Sequence, residues 1–178
     1  MLDERHPEPQ ELVVPASAFV VLRRELTKEV GMLPAVHALH NAGYAAGRDA
    51  ASALGGPALR EREASAFWSA IAAYFERRGW GRPVHESPHP GVGLLVADRW
   101  AESSSDENDA EGSCSFSTGF LSGLLSSVAD GPVAVLEVSC RTRGDDACRF
   151  AFGAADVIHD LYGHLVEGAE LPRALAEL

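Results

Sequence analysis

Cysteine is scarce in this 178-residue chain, with three residues, and positive charge is short: 15 Lys+Arg face 26 Asp+Glu, a formal charge of −11. An odd, small number of cysteines does not build a disulfide framework; it leaves a metal site, a catalytic thiol or buried small hydrophobes. The acidic balance repels phosphate backbones and argues against direct DNA or RNA binding. No apolar run reaches about 18 residues, so no membrane span is expected. Residues 1–10 are charged and Pro-punctuated, unlike a signal peptide, which points to a cytoplasmic protein. No Walker-type glycine loop, Gly-x-Ser-x-Gly elbow or Ser-His-Asp signature occurs, and no nicotinamide or flavin fingerprint.

What is present suits one globular domain: 46% of residues are apolar, enough to bury a core. Residues 1–10 read as a tail, 11–168 as a single domain and 169–178 as a C-terminal tail. Phe19, Leu22, Leu26 and Val30 fall at spacings of three and four and predict an amphipathic helix, with Arg23, Arg24 and Glu25 on its charged back and Gly31 as its stop. A second helix from about Leu33 to Gly47 is rich in small residues, which predicts close packing on a neighbour. A third, from Glu61 to Arg78, carries the aromatic stripe Phe67, Trp68, Ile71, Tyr74 and Phe75, and Gly79 stops it. His85 and His89 fall in a Pro-rich turn. His37 and His40 share a helix face. Neither pair has a third ligand nearby, so both read as packing or surface.

Gly93 to Trp100 is short and β-like, and residues 102–113 form an acidic loop. Its Asp106, Asn108 and Gly112 faintly echo a calcium loop, but Ser117 stands where the bidentate Glu is needed, so it reads as solvated loop. Phe116 to Val128 is helical, with Gly119 and Gly123 four apart. Pro132 to Ser139 and Ala147 to Phe152 read as strands joined by the turn Arg143-Gly144-Asp145-Asp146. Asp156 to Val166 is a final helix, and Leu171 to Leu178 a short helical end. Helices first and strands later, without βαβ alternation, predict an α+β fold with an antiparallel sheet of about four strands.

The cysteines are patterned. Cys114 opens a helix, Cys140 and Cys148 flank the hairpin turn, and Glu137 precedes Cys140 by three residues. Three thiolates and a carboxylate complete a tetrahedral zinc site with no open position, which makes it structural. Spacing alone leaves the alternative open: three buried cysteines and a surface glutamate.

Cys114, Ser122-Gly123, Glu137, Ser139-Cys140, Gly144-Asp145-Asp146 and Cys148 resemble the 4-vinyl reductase (hydrocarbon-binding) domain family. That domain is the sensor of bacterial activators responsive to phenols and xylenes, and its fold is shared with subunits of the TRAPP vesicle-tethering complex. Ser17, Phe19, Arg23-Arg24-Glu25, Gly43-Tyr44 and Gly47 extend the resemblance over about residues 11 to 165.

The resemblance implies several expectations. Cys114, Glu137, Cys140 and Cys148 would hold structural zinc. The aromatic helix would line an apolar cavity against the sheet, with Trp68, Ile71, Phe75 and Trp100 as ligand-binding residues and Trp80 a lesser candidate. The ligand would be a small hydrophobic or aromatic molecule, and the protein a homodimer. The activators continue into ATPase and helix-turn-helix domains; this chain ends at Leu178, so a stand-alone, non-enzymatic sensor or accessory module is expected. Phe75 stands where the phenol sensors place a hydroxyl-binding His, so phenol specificity does not carry over. The family's name supports a second reading, an accessory protein or reductase in (bacterio)chlorophyll and tetrapyrrole metabolism. A scaffold, as in the vesicle-tethering relatives, is a third.

Overall fold

The computed structural model describes Leu12, residues 14–103 and residues 114–178. The expected N-terminal tail and the calcium-like Asp106, Asn108 and Gly112 lie outside the described residues. The helices are α1 (Ser17–Val30), α2 (Met32–Ala53), the single turn α3 (Pro57–Arg60), α4 (Ala64–Arg77), α5 (Ser115–Ala129), α6 (Ala155–Val166) and α7 (Leu171–Ala176). The strands are β1 (Val84–His89), β2 (Val92–Ala97), β3 (Ala134–Ser139) and β4 (Cys148–Gly153). They form one antiparallel sheet in the order β1-β2-β4-β3, with α5 inserted between β2 and β3. The α+β reading holds.

Helices cover both faces of the sheet. Because side chains alternate along a strand, Leu95, Ala97 and Phe150 point one way and Val92, Leu94 and Ala151 the other. The first set joins the main core with Ile71, Phe75, Trp100 and α5 residues Phe120, Leu121 and Leu124. The second set meets Ile158 and Leu161 of α6 and Ala174 and Leu175 of α7. The segment read as a C-terminal tail therefore contributes two buried side chains to this layer.

α2 and α5 carry the tightest contact. A Cβ on Gly43 or Gly47 would collide with the Phe116 or Phe120 carbonyl oxygen of α5. A Cβ on Gly119 or Gly123 would collide with the His40 or Tyr44 carbonyl oxygen of α2. The two Gly-x-x-x-Gly faces interlock, and backbone lies on backbone. This is the close packing that the small residues predict.

Four details differ from the sequence reading. On α1 the inward face is Phe19, Arg23 and Leu26; Arg23 is buried, whereas Leu22 and Val30 are half exposed. The stripe is therefore rotated about the helix axis from where apolar spacing puts it. The Pro-rich turn is strand β1, which includes His85, Pro88 and His89. β1 is an edge strand with irregular pairing between Glu86 and His89, a place where a missing Pro N–H costs no ladder bond. The aromatic helix starts at Ala64, because Glu63 is extended and precedes it. Trp100 lies beyond β2, which ends at Ala97.

Candidate metal centre and ligand groove

Three separate elements bring the tetrad together. Cys114 caps α5, Glu137 points from β3 to the α5 side of the sheet, and the turn Arg141–Arg143 with left-handed Gly144 carries the chain from Cys140 back to Cys148 at the start of β4. One donor atom from each of Cys114, Glu137, Cys140 and Cys148 lies within 4.8 Å of all the others, and all three cysteines are buried. The sulfurs of Cys114 and Cys140 are 3.8 Å apart. A disulfide would need about 2.05 Å. Two sulfurs each about 2.3 Å from a tetrahedral centre stand about 3.8 Å apart. The donor set and its spacing fit a metal ion, and the cluster can hold one.

The surrounding bonds hold the ligands in place. Both Glu137 oxygens accept from the Cys114 amide, at 3.1 and 3.3 Å. The Cys140 amide donates to Asp145 Oδ2 at 2.7 Å, and the Cys140 carbonyl accepts from the Arg143 and Asp145 amides. Asp146 pairs with Arg149 at 2.7 Å on the outer side of the hairpin.

Four acids in one buried place cannot all ionise without a cation. The Cys114 thiol is pushed far up by its hydrogen bonds with Cys140 and Cys148 and then by burial. Cys148 is held down at about 3, first by its hydrogen bonds with Cys114 and Cys140. Burial, then the charge of Cys140, raises Glu137 to about 8. A divalent ion would remove this competition and displace protons as it binds.

Sequence reasoning missed Glu102. Its carboxylate is buried and caps α5, accepting from the Phe116 and Ser117 amides at 2.9 and 2.7 Å and from the Ser117 hydroxyl. Burial raises its pKa to about 7 against the pull of the Ser117 hydroxyl and the two amides. Trp100 Nε1 donates to Ser117 Oγ at 2.7 Å, so the indole N–H already has a partner. A glutamate so far ahead of its helix leaves no local signal of the capping-box kind.

The four expected ligand-binding residues occupy two settings. Ile71, Phe75 and Trp100 are inside the main core, with the Phe75 and Trp100 rings 5.0 Å apart. Trp68 is half-buried and lies at the surface end of the same helix. It stacks on His85 at 3.9 Å, with Phe152 at 5.4 Å and Phe67 edge-on at 4.7 Å. Burial lowers the pKa of His85, which favours the neutral ring in this stack. Phe67, Trp68 and Phe152 face Leu125 and Val128 of α5 across a groove of about 450 Å³. Trp80 lies instead against Phe19, Phe116 and Trp100.

No helix among the described residues is long and apolar enough to cross a membrane. No curated protein matches the chain. Among solved structures, the phenol-responsive sensory domain of the transcription activator PoxR with phenol is similar over 91% of this chain and 85% of that one, at 15% identity and TM-score 0.68. A trafficking protein particle complex subunit 3 from Naegleria fowleri, covalently bound to palmitic acid, is similar over 78% of this chain and 91% of that one, at 17% identity and TM-score 0.61. A vinyl-4-reductase family protein from Methanocaldococcus jannaschii aligns over 82% of this chain and 83% of that one, at 17% identity and TM-score 0.46. The first two likenesses establish a shared fold. The sequence pattern of the 4-vinyl reductase domain matches residues 105–154, the stretch that supplies all four tetrad residues, and the chain belongs to the 4-vinyl reductase domain family.

Proposed function

We propose that this protein is a zinc-stabilised, non-enzymatic binding domain for a small hydrophobic or aromatic molecule, with a sensing or accessory role. The observation that carries the ligand reading is the aromatic-walled groove between α4 and α5, on the fold shared with a phenol-responsive sensory domain. Pockets of this kind are mostly apolar, with a few polar groups setting orientation. Trp68 is the contact residue, and Ile71, Phe75 and Trp100 are the packed layer behind it. The palmitate of the Naegleria neighbour is covalently held. Here all three cysteines sit in the tetrad, so binding is non-covalent.

Zinc is the metal that three thiolates and one carboxylate favour, in a closed structural site. Reduced zinc-bound thiols suit a cytoplasmic location. The exposed Val21, Leu22 and Val30 of α1 and Met32 and Leu33 of α2 form an apolar face that a second copy would cover in a homodimer.

Native mass spectrometry of the protein as purified tests the whole reading. A dimer carrying about one zinc per chain and an apolar passenger is expected; a tetrapyrrole passenger would move the function to tetrapyrrole metabolism. A stable metal-free monomer that takes up no apolar compound would refute it.

A further inference from the structure

The α4–α5 groove is apolar along its length and positively charged at one end. Arg60, the last residue of α3, and Arg62, in the turn that follows, both line it, and so does Ala64, the first residue of α4. Arg60 Nη1 donates to the Ala129 carbonyl at 3.2 Å, which anchors that guanidinium at the end of α5. The 14-residue α4 starts without a side-chain cap, so the positive end of its dipole lies beside the arginines. No Asp or Glu is among the described residues that line the groove. In a chain of net charge −11, two guanidiniums and an uncapped helix start at the mouth of an apolar groove are a local exception. A neutral hydrocarbon would leave that end unused, whereas a carboxylate would pair with it in the forked geometry arginine favours.

We propose that the groove binds a monoanionic amphiphile. Its apolar body lies along Phe67, Trp68, Leu125 and Val128, and its carboxylate meets Arg60 and Arg62. This inference rests on the reading of the chain as an apolar-ligand module and adds the charge of the ligand. The groove's volume of about 450 Å³ lies within the range of small-molecule sites.

Calorimetry on the full chain with decanoate and with decanol separates the charge from the apolar body. Decanoate is expected to bind about tenfold more tightly, the scale of one charge-assisted pair at a partly exposed site. Arg62→Gln, alone and with Arg60→Gln, should bring decanoate down to the decanol affinity. Decanol affinity itself should stay within about twofold, which also reports that the variants are folded. Equal binding of the two probes to the unaltered protein, or decanoate binding indifferent to both substitutions, would overturn the anionic assignment and leave the apolar-ligand reading standing. Binding of neither probe would overturn both.

Discussion

Gly119→Ala tests the α2–α5 contact directly. The added methyl would meet the carbonyl carbon of His40 at 2.8 Å and its Cα at 2.9 Å. Carbon atoms prefer about 3.5–4.0 Å, so the helices must separate by roughly 1 Å. The obstruction is backbone, with no rotamer to yield, which puts the cost near the upper end of overpacking, about 3 kcal/mol. Alanine returns about 1 kcal/mol of helix propensity. The net loss of about 2 kcal/mol should lower Tm by about 4–8 °C for a chain of this length. Gly163 in α6 is the control, since nothing lies within 4 Å of a Cβ built there. Gly163→Ala should raise stability by up to about 1 kcal/mol. Thermal and urea unfolding of both variants give the comparison. Combining Gly119→Ala with Gly47→Ala should cost less than the sum, because the first substitution has already parted the helices. A Gly119→Ala protein as stable as the unaltered one would refute the interlocked contact.

Cys140→Ser should lose the metal and destabilise the protein by several kcal/mol, since structural zinc binding is folding free energy; elemental analysis and urea unfolding check both, and a fully stable metal-free variant would contradict it. Glu102 has a folded pKa raised from 4.5 to about 7, so the native state holds the extra proton and stability falls as pH rises through that interval. Relative to Glu102→Gln, which does not titrate, the unaltered protein should lose roughly 3 kcal/mol between about pH 4.5 and 7; parallel pH profiles would show that Glu102 does not titrate there. Phenol should bind more weakly than toluene by calorimetry. The Trp100 N–H is already engaged by Ser117 and Phe75 offers no donor, so a hydroxyl finds no ready partner among them.

Where local pattern and tertiary demand agree, the sequence is a sufficient guide. Gly43, Gly47, Gly119 and Gly123 announce a close helix pair, and the 137–148 spacing announces ligands gathered on a hairpin. The rotation of α1 is not legible, because apolar periodicity assumes that the apolar side faces inward. Here Arg23 takes the inner position while Leu22 and Val30 face outward. β1 is hidden by its prolines and histidines, residues that an irregular edge strand tolerates and a central strand does not. Glu102 reaches α5 from a distant point in the sequence, a long-range cap that no window over the helix itself can register.

Packed side chains ordinarily act as a cushion between helices, because small displacements are taken up by changes of rotamer. The glycine faces of α2 and α5 have no such cushion. The two helices therefore travel as one stiff body. That body has the metal ligand Cys114 at one end, the groove residues Leu125 and Val128 towards the other, and, through α2, the apolar outer face at Met32 and Leu33. A displacement started in the groove would reach both distant points without being absorbed on the way.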